Sequence, residues 1–433
     1  MKNNIFRSLR NSLGNIIEWY DFSLYGYFAA VIAVEFFPSD NHFIALLATF
    51  AAFGIGFLAR PLGAIVFGAL GDKRGRYYAM NLSILLMAIP TTLMAILPGY
   101  NTIGILAPIL LVLIRIIQGI SAGGQFGNLL TITSEDSQTR YTGFSAGIAY
   151  SSSVIGFLIA AGVSYLVMTL TPESWHNIAW RLPFALSLLL LFTQLKLRNN
   201  HDNESVEQQT MQTDSATVEP SKPLSKLIEL YPRCLFYIIL LSTVTSFLYY
   251  LVLTYMITYM TDYLNLSLSQ ALGVNVISIV LLCLLVPVFG IVSDIFGRKR
   301  FLIIAFLITL LVEAPLISLL QPVSYASIIL ASIGFAVITA LIQGAATPLY
   351  SEIFPRYIRA SGCSIGFGIG TSIAGFSPMI ATGLTGFFSP ASSLYILFFM
   401  IAFVGLAVAI LIPHKKLEVR RLQNLNTEML KAA

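Results

Sequence analysis

Apolar residues in this chain come in long runs, not in the one-sided stripes of surface helices or strands, and stretches such as Phe301 to Val312 carry no charge at all. A helix needs about 20 apolar residues to cross the hydrocarbon of a bilayer. Twelve windows of that size can be read, near 12–37, 43–70, 78–97, 102–133, 142–170, 179–197, 233–261, 269–292, 301–320, 325–350, 363–387 and 392–413. Short polar breaks separate them, except for Arg198 to Pro232, whose Gln, Asn, Ser, Thr and acidic residues read as a linker without a core of its own. The pattern predicts an all-α integral membrane protein of twelve transmembrane helices in two six-helix bundles. The bundles would take 1–197 and 233–413, joined by linker 198–232 and followed by tail 414–433.

The two halves echo each other. Gly68-Ala69-Leu70-Gly71-Asp72-Lys73-Arg74-Gly75-Arg76, between windows two and three, recurs as Gly290-Ile291-Val292-Ser293-Asp294-Ile295-Phe296-Gly297-Arg298 at the same place in the second half. Gln118-Gly119 is matched by Gln343-Gly344, and Arg140 with Gly143 by Arg359 with Gly362. Internal repeats mark transporter folds whose binding site lies between the repeats near the bilayer midplane.

Charge is scarce and one-sided. Only 10% of the 433 residues are charged and 57% are apolar, with a mean hydropathy of +0.81, whereas a soluble domain is about one-quarter charged. With the N-terminus in the cytoplasm, Lys2, Arg7, Arg10, Lys73, Arg74, Arg76, Arg140, Arg298, Lys299, Arg300, Arg356, Arg359 and the tail lie on one side. The breaks Pro38–His42, Pro98–Asn101, Asp262–Ser269 and Gln321–Tyr325 on the other side contain no Lys or Arg. The positive-inside rule then places both termini in the cytoplasm, and the net charge of +5 reflects topology and not nucleic-acid binding. The N-terminal segment reads as the start of the first span and not as a cleaved signal, because Asn15, Glu18 and Asp21 interrupt it. Cys234, Cys283 and Cys363 lack CxxC spacing and the four histidines lack metal-ligand pairing. No metal or other cofactor is expected, and no nucleophile–base constellation or nucleotide loop points to an enzyme.

Several strings resemble the major facilitator superfamily, and within it the metabolite:proton symporters of proline and betaine, α-ketoglutarate, citrate and shikimate. They are Gly14-Asn15 with Glu18-Trp19-Tyr20-Asp21-Phe22 and Tyr25-Gly26, Ala59-Arg60-Pro61-Leu62-Gly63, the repeated loop, Arg115 with Gln118-Gly119, and Ser351-Glu352-Ile353-Phe354-Pro355 with Arg359. The resemblance covers essentially the whole chain and implies alternating access driven by a proton gradient. The chain departs from it at Gly124-Gln125-Phe126, where many relatives carry a carboxylate, and in the short tail after His414, too brief for an osmosensing coiled coil.

Ionisable groups at membrane depth cost at least about 2.5–3.5 kcal/mol each, so they mark function by default. Glu18, Asp21 and Tyr25 share a helical face with Asn15 one turn earlier, and neighbouring carboxylates suit a proton carrier. The resemblance implies that Asp21 pairs with Arg115 and that protonation releases the pair, against the alternative of a static buried salt bridge. Arg60 is open to anion recognition or to a structural role, and Glu313 to a proton role or to packing. Trp19, Tyr25, Tyr150, Tyr249 and Tyr250 are candidate substrate aromatics, able to hold a quaternary ammonium or simply to pack. Asn15, Gln118 and Gln125 are candidate hydrogen-bonding ligands. Asp72, Arg76, Glu135, Asp136, Asp294, Arg298 and Glu352 are expected to form a cytoplasmic gate, with Glu135 or Asp136 meeting Arg76 and Glu352 meeting Arg298.

The expected function is secondary active import of a small polar organic solute with protons, by a protein acting as a monomer in a plasma membrane, most simply a bacterial inner membrane. Export of a metabolite, siderophore or drug is the alternative in the same fold.

Overall fold

The computed structural model describes residues 2–74, 76–123, 142–189, 223–321, 324–355 and 358–412. Among them every regular element is helical, and twelve helical spans follow one another. The first half contains α1 (Lys2–Tyr27, continued by Ala29–Phe36), α2 (His42–Leu58 and Arg60–Arg74), α3 (Arg76–Ile96), α4 (Leu106–Ser121), α5 (Thr142–Leu170) and α6 (181–189). The second half contains α7 (Pro232–Tyr250, a π turn Leu251–Tyr255, then Met256–Asp262), α8 (Leu268–Phe296), α9 (Arg298–Ser318), α10 (Tyr325–Glu352), α11 (Arg359–Ala374 and Ser377–Thr385) and α12 (Pro390–Leu411). Eight helical stretches of the described residues are long and apolar enough to cross a bilayer. Side chains such as Val34, Ile65, Ile96, Leu284, Leu311 and Phe403 stay exposed, as a lipid-facing surface requires.

Local sequence explains where spans start and break. On the side away from the basic loops, Asn41, Ser267, Ser324 and Ser389 each accept a hydrogen bond from a backbone N–H in the first turn of α2, α8, α10 and α12. The fourth window was expected to begin near 102, but Gly104 adopts φ +59° and separates a single turn, Tyr100–Ile103, from α4. α2 breaks at Ala59, just before Arg60-Pro61, where the proline has no N–H to offer. The π turn of α7 frees a carbonyl, and Asn275 of α8 donates to Leu253 O at 3.2 Å. The segment read as a coreless linker ends in a helix, Pro223–Leu230, whose Leu227 is buried and which packs on α7 and α11.

The repeat is visible in the packing. A Cβ on Gly119 of α4 would lie 1.8 Å from Gly56 O of α2, and one on Gly63 of α2 would lie 1.8 Å from Ile120 O. In the second half, a Cβ on Gly344 of α10 would lie 2.7 Å from Phe289 Cβ and 2.9 Å from Gly290 N of α8. The Gln-Gly echo therefore marks the same event twice: glycine lets two helix backbones touch, the usual means of helix association in lipid. Within each half, α1 packs on α5 and α7 on α11. Between halves, α5 lies along α8, α2 along α11, and α1 meets α7, where Gly26 faces the Thr254 side chain.

Candidate functional site

Four ionisable side chains of the first half are buried in mid-span: Glu18 and Asp21 of α1, Arg60 of α2 and Arg115 of α4. Glu18 Oε1 lies 3.1 Å from Arg60 Nη2. This ion pair is not aligned as a hydrogen bond, since both Glu18 oxygens and Arg60 Nε and Nη2 lack a hydrogen-bond partner. The Arg60 guanidinium is stacked among rings, 5.0 Å from Trp19, 4.5 Å from Phe22 and 4.4 Å from Phe57. Such faces stabilise a desolvated cation.

Arg115 is placed differently from expectation. Its Nη1 donates to Gln118 Oε1 at 3.0 Å, and Gln118 Nε2 donates to Thr91 Oγ1 at 2.7 Å. Its guanidinium lies 4.4 Å from Tyr25, 4.7 Å from Phe22 and 5.3 Å from Phe53. Gly56 leaves room for it, since a Cβ there would sit 3.3 Å from Nε and Nη2. Asp21, fully buried, forms no ion pair with Arg115, and the Thr91 side chain is the polar group against its carboxyl. The direct pair drawn in this subfold is thus Glu18–Arg60. The Phe22 ring lies against both guanidiniums.

Next to Arg60 a small aromatic cavity lies between the halves, lined by Trp19, Tyr150, Ser153, Ser246, Tyr249, Tyr250 and Phe367. Trp19 is oriented by Asn15, whose Oδ1 accepts from the indole N–H at 3.0 Å while its Nδ2 donates to Ser152 and Ser153 at 2.8 Å. Trp19 and Tyr250 stack with centroids 6.2 Å apart, and Tyr249 stands edge-on to Trp19 and to Tyr150. The Tyr249 and Tyr250 hydroxyls have no hydrogen-bond partner. Of the sequence-predicted ligands, Trp19, Tyr150, Tyr249 and Tyr250 converge here and Asn15 sits behind Trp19. Tyr25 does not line the cavity: it carries Arg115 on its ring and donates to Thr49 O at 3.0 Å. Gln118 is likewise engaged with Arg115, Gln125 lies outside the described residues, and Glu313 sits apart on α9, buried with Oε2 unpartnered. Sequence reasoning missed Phe22, Phe53, Phe57, Ser153 and Ser246. Phe22 alone had a signal, its place directly after Asp21.

On the basic side, Arg298 is the hub of a charged cluster. It pairs with Asp294 one turn earlier and with Glu352 Oε1 at 3.1 Å, and donates to Thr142 Oγ1 at 2.9 Å and Gly290 O at 3.2 Å. Asp294 accepts from Gly143 N at 3.1 Å through both oxygens, and Glu352 accepts from Thr142 Oγ1 at 2.7 Å. Three side chains of the second half thus grip the N-terminus of α5 in the first, where unsatisfied N–H groups and the helix dipole favour anions. The expected Arg298–Glu352 pair is present. Its first-half counterpart is not described: Glu135 and Asp136 lie outside the described residues, as do the side chains of Asp72 and Arg76 on their helices. On the opposite side His42 Nε2 lies 3.0 Å from Asp262 Oδ2 across α2 and α7, and in mid-span Ser372 of α11 donates to Phe57 O of α2 at 2.8 Å.

The family described as Major Facilitator Superfamily matches residues 12–366 and 238–427. The chain is 34% identical over 401 residues to the shikimate transporter of Escherichia coli K12, covering 89% of this chain and 90% of that one. It is 33% identical to the proline/betaine transporter of the same organism (86% and 76%) and 32% identical to the citrate-proton symporter of Salmonella typhi (87% and 86%). Among solved structures, a D-xylose-proton symporter superposes with a TM-score of 0.72 at 19% identity over 95% of this chain and 99% of that one. An inward-open xylose transporter from E. coli gives 0.69 at 18% (94% and 96%). With two glycine-packed halves, and family and relatives matching most of its length, this chain belongs to the Major Facilitator Superfamily and is a membrane-embedded secondary active transporter.

Proposed function

We propose that the protein imports a small polar organic solute with protons, binding it in the cavity bounded by Trp19, Tyr150, Tyr249 and Tyr250. The observation that carries this reading is Asp21: a carboxyl fully buried in a membrane span and in no ion pair, one turn from a second carboxyl that is ion-paired. An unpaired charge at that depth is costly, and a proton removes it. Asp21 and Glu18 are therefore the proton-handling groups, with Arg115 and Arg60 as the fixed cations that stabilise their charged forms. The relatives move shikimate, proline or betaine, and citrate, which sets the chemical range of the cargo.

In the proposed cycle the bundles 1–197 and 233–413 rock about the cavity while the linker 198–232 keeps them joined. The Arg298–Glu352–Asp294 cluster closes the cytoplasmic side by holding the α5 terminus, and it must break for release inward. Asp72, Arg76 and Glu135 or Asp136 would form its first-half partner. Both termini then lie in the cytoplasm, the membrane is a bacterial inner membrane, and one chain suffices for transport.

The test is uptake into proteoliposomes under an imposed pH gradient, with wild type and Asp21→Asn. Wild type should accumulate a solute from this range, and the variant should lose accumulation while keeping solute counterflow. Gradient-driven accumulation by Asp21→Asn at the wild-type level would refute the assignment.

A further inference from the structure

We infer that Phe57 of α2 is the positioning residue that ties the Glu18–Arg60 pair to the second half, so that movement of α11 against α2 changes how firmly Arg60 holds the Glu18 charge. The inference rests on the proposed function, in which Glu18 handles a proton, and adds the contact through which the other half acts on it.

Phe57 stands where three kinds of contact meet. Its ring lies 4.4 Å from the Arg60 guanidinium and 4.7 Å from the ring of Phe22, which carries the same cation. Toward the second half the ring is 4.9 Å from that of Tyr250, which lines the aromatic cavity. Its base is held by α11: a Cβ on Gly375 would fall 2.5 Å from Phe57 Cβ. Ser372 Oγ lies 2.8 Å from Phe57 O, and shares its proton with Gly368 O at 2.7 Å. Local sequence makes the Phe57 carbonyl available, because Pro61, four residues on, has no N–H to return to it. The seat is reciprocal, since a Cβ on Gly54 of α2 would run into the Phe376 ring of α11. Each half thus drops an aromatic knob into a glycine of the other. Both knobs lie beside a break in a helix, α2 at Ala59 and α11 between Ala374 and Ser377.

The consequence for the charge pair is electrostatic. Arg60 Nε and Nη2 have no hydrogen-bond partner, so the guanidinium is held opposite Glu18 by the 3.1 Å ion pair and by the faces of Trp19, Phe22 and Phe57. Phe57 is the nearest of the three rings and is seated on α11. The ionisable groups around Glu18 are Arg60 on α2, Tyr250 on α7, Asp21 on its own helix and Arg115 on α4. None of these is on α11, so α11 reaches the pair through Phe57. When α11 draws away from α2, the Ser372 bond and the Gly375 seat are lost and the ring is free to leave the guanidinium. A desolvated cation without its ring face is held less firmly, and a carboxylate beside a less firmly held cation takes up a proton more readily. Movement between the halves is thereby converted into a change of proton affinity at Glu18.

The experiment is a pH titration of the solute-free, full-length protein in nanodiscs, read by tryptophan fluorescence, since the Trp19 ring lies 5.0 Å from the Arg60 guanidinium. The Trp19→Phe protein is the blank for Trp175 and Trp180. Wild type is compared with Phe57→Leu, Ser372→Ala and Phe43→Leu, and the melting temperature of each is recorded. Phe43 packs α2 on α11 at the outer end, where a Cβ on Gly386 would lie 2.9 Å from its ring, far along the helix from Arg60. Phe57→Leu should raise the titration midpoint by about one pH unit, the equivalent of one ring face lost from a buried cation. Ser372→Ala leaves every charged residue in place and should raise it by about half a unit. Phe43→Leu should lower the melting temperature and leave the midpoint where it is. An unmoved midpoint in Ser372→Ala and Phe57→Leu would overturn the inference, and if Phe57→Leu does not assemble, Ser372→Ala decides alone. A shift in Phe43→Leu as large as that in Phe57→Leu would overturn it too, as would a Trp19 signal that does not titrate in wild type. Gradient-driven uptake of shikimate, L-proline and citrate into proteoliposomes separates the two readings. Accumulation with unmoved midpoints would remove the Phe57 link and leave the proposed function, whereas shifted midpoints with no accumulation of any of the three would do the reverse.

Discussion

The two halves share a scaffold and divide the chemistry. In both, the second and fourth helices touch through a glycine after glutamine, Gly119 and Gly344, and the first packs on the fifth. Yet Glu18, Asp21, Arg60 and Arg115 are all in the first half, whereas the second half brings tyrosines, serines and threonines to the same depth and, among the described spans, the single buried carboxyl Glu313. At the basic end the roles reverse: Arg298, Asp294 and Glu352 of the second half act on the backbone of α5 and the hydroxyl of Thr142. A duplicated scaffold needs its packing residues twice, but one central site needs its charges once.

That division is open to direct test. The largest effect is expected in the first-half charges: Arg60→Gln leaves Glu18 buried and unpaired and should cost about 3–5 kcal/mol of stability, most of it recovered in the double variant with Glu18→Gln. The matched change in the second half, Tyr249→Phe, removes a hydroxyl with no partner and should leave denaturant stability within about 0.5 kcal/mol. Equal losses in the two halves would mean that the charges are not where the cost lies.

Next come two glycines with different duties. Gly63→Ala drives a Cβ into Ile120 O inside the first half, while Gly290→Ala drives one to 2.3 Å from Gly143 O across the halves. Each overpacking should cost about 1–3 kcal/mol. Gly63→Ala should lower the melting temperature in every conformational state. Gly290→Ala should instead open the basic side, read as faster labelling of a cysteine placed below the cavity. A Gly290→Ala protein that melts early without faster labelling would contradict a dividing surface at α5 and α8.

Asp294→Asn keeps the shape of the gate residue but loses the charge held at the α5 terminus. A loss of about 1–2 kcal/mol should shift the open fraction roughly 5- to 30-fold with little change in equilibrium solute affinity. Comparable loss of affinity would instead make Asp294 part of the binding site. The smallest effect belongs to the opposite side, where His42 is more than half exposed. His42→Ala should change stability by no more than about 1 kcal/mol, and less at high salt.

The sequence revealed the spans because lipid allows few alternatives: a backbone in hydrocarbon must satisfy itself as a helix, so twelve apolar windows already imply helices and approximate ends. It also exposed the repeat and the Arg298–Glu352 pair. It left open how Arg115 is held, because residue spacing along α1 and α4 says which side chains share a face but not which partner is nearest across the gap. Phe22 beside the two guanidiniums, the shelf left by Gly56 and the bond to Gln118 are all contacts between helices. Tyr25 was misplaced as a cavity residue for the same reason.

Composition, hydropathy and the duplicated loop by themselves determined that this chain spans a membrane as two related bundles, since burying apolar area and satisfying backbone polarity are properties of local sequence. Only the tertiary structure decided which carboxyl pairs with which arginine, which rings line the cavity and which residues cross between halves. Those choices depend on distances of a few ångströms between helices far apart in the chain, and at membrane depth such distances decide whether a charge is paired or left alone.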